Sequence, residues 1–183
     1  MGYAINEIFY SLQGEGFHSG RATLFVRFSG CNLSCSWCDT DFVGFKRYSI
    51  EEVIEATKAI HPRYVVFTGG EPLLQLDQKL IDAFHCDTGV ETNGTRPCDL
   101  KTWTCVSPKS DDVVLTKGNE LKLVYPQADY PPERYASWEF DHFFLHPMDG
   151  PLLTRNTNMA IDYIKRHPQW RLSLQAHKMI GIR

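Results

Sequence analysis

The strongest constraint on this chain is the stretch Ser29-Gly30-Cys31-Asn32-Leu33-Ser34-Cys35-Ser36-Trp37-Cys38-Asp39-Thr40, where three of the six cysteines fall within eight residues. The spacing is C-x3-C-x2-C, and it follows an apolar, strand-like run, Thr23 to Phe28. Three thiols this close, presented at the end of a strand, point to a metal or a cluster and are too crowded to be separate core residues. Spacing alone leaves two occupants open. Zinc would need a fourth ligand, and neither His18 nor any of Cys86, Cys98 and Cys105 shows paired C-x2-C spacing. A four-iron cluster on three thiolates would keep one iron open to an outside ligand, and the spacing favours it. Cys86, Cys98 and Cys105 are single and read as buried or incidental thiols.

Three disulfides are a poor alternative. The cysteines are clustered, and 183 residues suffice for one domain, 1–183, with its own hydrophobic core. Met1 to Glu7 carries no basic segment leading an apolar one, so a secretory signal is not expected. No apolar run approaches bilayer length. These readings place the chain in the cytoplasm, without a membrane partner. A net charge of -3 argues against a broad basic face for direct nucleic-acid binding.

The hydrophobic pattern alternates between strand and helix. Ala4 to Tyr10 alternates loosely and reads as a strand, as does Thr23 to Phe28, where Arg27 interrupts the apolar run. A charge there either reaches solvent or serves an anion in a cavity. Ser11 to Gly16, taken alone, reads as a turn. Ser49 and Glu52 form a capping box for a helix with Ile50, Val53, Ile54, Thr57 and Ile60 on one stripe, ended by Pro62. Tyr64 to Thr68 is a short apolar run of the buried parallel type, breaking into Gly69-Gly70-Glu71-Pro72. A helix is expected from Leu74 to Phe84, with Leu76, Leu80, Ile81 and Phe84 inward. Further strands are expected at 88–94, ending in a turn, and at 103–107, 120–125, 142–146 and 170–175, and a last helix near Asn156 to His167. This order predicts an α/β fold with a mainly parallel sheet. The carboxyl ends of its strands would bring the cysteine loop, Gly69 to Pro72, Thr92-Asn93-Gly94, Ser107-Pro108-Lys109 and Pro147-Met148-Asp149 to one rim.

C-x3-C-x2-C with Trp37 before the last cysteine, followed after a strand by Gly69-Gly70-Glu71-Pro72, resembles the two signatures of the radical S-adenosylmethionine enzymes. A narrower resemblance covers nearly the whole chain. Asn6 to Gly16, Cys38-Asp39-Thr40, Glu91 to Thr95, Ser107-Pro108-Lys109, Pro147 to Gly150 and Gln175 to Lys178 are similar to the 7-carboxy-7-deazaguanine synthases. That resemblance implies a shortened, incomplete (β/α) barrel, a homodimer, and an external electron donor such as a flavodoxin. It implies a 4Fe-4S cluster on Cys31, Cys35 and Cys38, with Mg2+ at Thr40. It implies S-adenosylmethionine against Trp37, Cys38, Asp39, Gly70, Ser107, Pro108, Lys109, His146, Pro147, Met148 and Asp149. It implies a pterin substrate held by Leu12, Gln13, Gly14, Arg27, Thr68, His177 and the carboxylate of Arg183. The implied reaction is radical ring contraction of 6-carboxy-5,6,7,8-tetrahydropterin with loss of ammonia. His146 departs from the family pattern, which has glutamine there. Two other readings are an activating enzyme for a glycyl-radical protein and a non-catalytic zinc module. The second leaves Gly69 to Pro72 and Ser107 to Lys109 unexplained.

Overall fold

The computed structural model describes residues 2–41 and 44–183. Among the described residues nine strands form one sheet: β1 (Tyr3–Leu12), β2 (Ala22–Phe28), β3 (Lys46–Tyr48), β4 (Tyr64–Gly69), β5 (Asp87–Thr92), β6 (Trp103–Val106), β7 (Lys117–Tyr125), β8 (Glu139–Pro147) and β9 (Trp170–Leu172). Their order is β3-β1-β2-β4-β5-β6-β7-β8-β9. From β2 to β9 every pairing is parallel, while β1 runs antiparallel to both β2 and β3. The expected mainly parallel α/β architecture is therefore present as an open sheet, not a closed barrel.

Period-two alternation sorts the side chains. Leu24, Val26 and Phe28, Val65 and Phe67, and Val90 point to one face. There they pack with Val53 of α1 (Ile50–Thr57) and with Leu80 and Ile81 of α2 (Gln78–Asp82). On the same face farther along, Val106, Leu121, Leu123 and Leu145 pack with Ala160 and Tyr163 of α3 (Leu153–Arg166) and with Trp170. Each fully buried leucine of this set contributes about 1.5–3 kcal/mol of transfer free energy. The opposite face carries Arg27, Thr68, Glu91, Lys122 and His146. At the amino-terminal ends of the strands, the loop after β1 folds beneath that face. Phe17 stacks on His142 and Trp103 at 4.3 and 5.0 Å, and His18 lies 4.7 Å from Tyr64, ring centre to ring centre.

Two helices end sooner than their apolar stripes. The Ser49–Glu52 capping box forms, but α1 stops at Thr57, whose hydroxyl turns back onto the carbonyls of Val53 and Ile54. His61 adopts a left-handed φ of 48° before Pro62. The helix expected over 74–84 is a single 3-10 turn, Pro72–Leu74, followed by α2. Gln75 breaks it, its side chain accepting from the Ala4 amide and donating to the Ser29 carbonyl, both at 2.8 Å. Asp77 then caps a fresh start at Gln78, accepting from the Leu80 amide at 3.1 Å. Leu76, Leu80, Ile81 and Phe84 are buried as the pattern requires.

Candidate active site

The carboxyl ends of the parallel strands do share one rim. Gly69 and Gly70 fit beneath the cysteine loop because they lack side chains. A Cβ on Gly70 would stand 2.0 Å from the Gly30 carbonyl oxygen and 3.0 Å from Cys31 Cβ. Gly69, at a φ of 131°, lies against the backbone of Phe28. Glu71 is fully buried behind them. It accepts from the amides of Leu73 and Asn93 and from the Thr92 hydroxyl at 2.8–2.9 Å, so the motif's carboxylate is a structural bracket between β4 and β5. Burial pushes its acidity down, against those three donors. Asn93 in turn donates to Asn32 at 3.0 Å, tying the cysteine loop to the end of β5.

Cys31, Cys35 and Cys38 open on a cavity of about 300 Å³ shared with Trp37, Gly70, Asn93 and Lys109. Burial pushes the Cys35 thiol up, and both neighbouring thiols push the same way while Lys109 opposes them. The donor set, three thiols around a space kept open by glycine, fits a cluster with one iron left free. Among the described residues no three His, Cys, Asp or Glu side chains are gathered as a ready site for a single metal ion.

A second cavity, of about 280 Å³, lies deeper in the rim. Trp37, Asp39, Thr40, Gly69, Gly70, Asn93 and Lys109 line both. Its centre is a buried charge network. Lys122 Nζ lies 2.7 Å from Glu15 Oε2 and 3.2 Å from Glu91 Oε1. Thr68 Oγ1 donates to Glu91 at 3.0 Å, and Gln13 Nε2 donates to Glu91 at 3.2 Å. Burial opposes ionisation of Glu15, but Lys122 outweighs it, helped by His146, and holds the carboxyl well below the usual range. Burial would lower Lys122, yet Glu15 and Glu91 hold it well above its ordinary value. His146 Nδ1 is buried without a hydrogen-bond partner among the described residues, 3.8 Å from Glu15. Burial depresses its pKa despite the opposing pull of Glu15, which favours the neutral ring.

Most residues expected to meet ligands line one or both cavities: the three cysteines, Arg27, Trp37, Asp39, Thr40, Thr68, Gly70, Ser107, Lys109, His146, Met148, Asp149 and His177. Lys109 Nζ stands 5.5 Å from the centre of the Trp37 ring. Others stand back from these walls. Gln13 reaches them through Glu91, and Gly14 packs against His177. Pro108 and Pro147 are buried behind the rim, and Leu12 is an exposed strand end. Arg183 lies over β1, its guanidinium on Glu7 and its carbonyl accepting from Ser11. Glu7 also binds Arg27, at 2.8 Å.

The turn reading of 11–16 is corrected, since the loop delivers Glu15 to the chamber. Cys105, read as a buried or incidental thiol, is buried, and it stands in the chamber wall. Lys122, Glu91 and Lys178 were given no role from sequence. A lysine in the middle of the apolar run Leu121-Lys122-Leu123 was the available signal, because a buried charge needs a partner. The one-turn helix α4 (Ala176–Ile180) was missed as well.

A parallel sheet, a three-cysteine loop and a glycine pair at the next strand end define the class, and residues 25–102 match the radical SAM superfamily. The whole chain is 52% identical to the 7-carboxy-7-deazaguanine synthase of Bradyrhizobium diazoefficiens, each covered in full. It is 44% identical to that of Bacteroides thetaiotaomicron, over 98% of each. A solved structure, described as the crystal structure of QueE from Escherichia coli, superposes with a TM-score of 0.81 at 28% identity, covering 97% of this chain and 95% of that one. The chain belongs to the 7-carboxy-7-deazaguanine synthase family. The full-length likeness decides against a glycyl-radical activating enzyme and against a zinc module. No helix among the described residues is long and apolar enough to cross a membrane.

Proposed function

We propose that this chain converts 6-carboxy-5,6,7,8-tetrahydropterin to 7-carboxy-7-deazaguanine and ammonia, the ring contraction of queuosine and related 7-deazapurine synthesis. The observation that carries the reading is the wall common to the thiol cavity and the charged chamber. Hydrogen abstraction demands that a substrate C–H bond be held against the radical source. When bound, the cluster and S-adenosylmethionine supply a 5′-deoxyadenosyl radical for that step.

The chain's own residues bind, orient and shield. Cys31, Cys35 and Cys38 would hold three irons. Trp37, Asp39, Gly70 and Lys109, with Ser107, Met148 and Asp149 across the rim, would surround S-adenosylmethionine. Arg27, already paired with Glu7, would turn its remaining donors to the substrate carboxylate. Gln13, Thr68 and Glu91 would offer amide, hydroxyl and carboxylate to the pterin edge. Thr40 would give its oxygen to Mg2+, a hard cation that would supply charge opposite the substrate carboxylate. His177 would close the chamber from above. A flavodoxin-type donor would supply the electron, and the chain would work as a homodimer in the cytoplasm.

Anaerobic reconstitution followed by iron analysis tests the cluster, and about four irons per chain are expected. Stoichiometric zinc without iron would refute it. With reductant, S-adenosylmethionine and the carboxytetrahydropterin, 7-carboxy-7-deazaguanine and ammonia should form together. Equal rates of 5′-deoxyadenosine formation with and without the pterin would overturn the substrate assignment.

A further inference from the structure

We propose that Lys178 is a positioning residue that latches α4 as a lid over the chamber, so that radical formation is coupled to a closed, pterin-filled site. The coupling rests on the functional reading above. The first observation is how α4 is held. It has no buried side chain, and Met179 and Ile180 are 71% and 62% exposed. Apolar burial therefore does not fix it. Polar contacts do: Lys178 Nζ lies 2.5 Å from Asp39 Oδ2 and 2.5 Å from Asp149 Oδ2, and past the helix Arg183 rests on Glu7 and Ser11. One ammonium thus pins the cysteine loop, the end of β8 and the tail together.

The second observation is where the lid sits. His177, next in the chain, lines the chamber. Its Nδ1 stands 2.1 Å from where a Cβ on Gly14 would be, so the loop that carries Glu15 keeps a glycine to let the lid down. Gln175, at the start of α4, donates to Asp39 at 3.1 Å and to Glu15 at 3.3 Å, and the Ala176 amide donates to the Gly14 carbonyl at 3.0 Å. These contacts form a hinge side that can stay made while Lys178 lets go. Lys178 and both its partners are partly exposed, at 39–49% of their side-chain surface. Ion pairs of that kind are individually weak and exchange readily with water. A latch that must open for each substrate needs that property, and a permanent wall does not. Closed, the lid keeps water away from the radical and the pterin within reach of it.

The test compares wild type, Lys178→Met and Lys178→Arg. In protein without cluster or ligands, hydrogen–deuterium exchange of the 176–182 amides should quicken roughly fivefold in the methionine variant and return toward wild type in the arginine variant. In reconstituted protein, Lys178→Met should raise the pterin KM roughly tenfold and raise the ratio of 5′-deoxyadenosine to deazaguanine product, with S-adenosylmethionine Kd within about threefold. Arginine should restore both. Unchanged exchange overturns the latch. Faster exchange with unchanged KM and product ratio overturns the coupling. A cofactor Kd that moves as far as the pterin KM would make Lys178 part of the cofactor site instead. Failure of the substrate reading shows separately, as wild type that makes no product, and the exchange comparison still decides whether Lys178 holds α4.

Discussion

On β7, Leu121 and Leu123 vanish into an apolar core, while Lys122 between them faces a chamber lined with carboxylates. The same contrast runs along the sheet. Val26 and Phe28 pack inward where Arg27 faces the ligand space, and Phe67 does so beside Thr68. The two faces are stabilised by different physics. The helical face gains from apolar area removed from water. The chamber face holds charges that burial alone would neutralise, and it keeps them ionised only because each has a partner. A fold of this kind can alter its chemistry on one face without touching the packing on the other.

Lys122→Met breaks the chamber side hardest. It leaves Glu15 and Glu91, both only partly exposed, side by side without their buried cation, costing about 3–5 kcal/mol. Pterin turnover should fall by roughly 10²-fold or more. Chemical denaturation and product formation read the two losses. Stability within about 1 kcal/mol of wild type would mean that the network does not hold its charges as described. Leu123→Ala attacks the other face. It should cost about 2–5 kcal/mol, yet kcat per folded molecule should stay near wild type. A large fall in kcat at unchanged stability would show that the faces are not separable.

The smallest effect is a pH dependence. Burial holds the His146 pKa below that of the unfolded chain, which takes a proton near pH 6.5. Its contribution to stability is therefore present above pH 6.5 and is lost as pH falls toward the depressed folded value. Melting temperatures measured from pH 8 to pH 5.5 should fall less for His146→Gln than for wild type. Parallel curves would remove His146 as a stability-linked group.

Much of this was legible in the residues. Short apolar runs alternating with helical stripes gave the parallel strands, and the strand ends gave the rim. Ser49 with Glu52 gave a helix start, because capping is local chemistry. Helix ends were less legible. Gln75 leaves its helix to bridge Ala4 and Ser29, partners more than 40 residues away. The three-residue β3 carries too short a pattern to register and exists through pairing with β1.

By itself the sequence determined the cysteine loop, the glycine pair beneath it and the alternation that separates core from chamber. These depend on spacing along the chain, which folding does not alter. Only the tertiary structure decided that Lys122 meets Glu15 and Glu91, that Glu71 is a bracket, and that Lys178 joins Asp39 to Asp149. Those pairings span from about 20 to nearly 140 positions. They form where parallel strands, each reached by a crossover, bring their carboxyl ends to one side, and no local propensity encodes which charges will meet there.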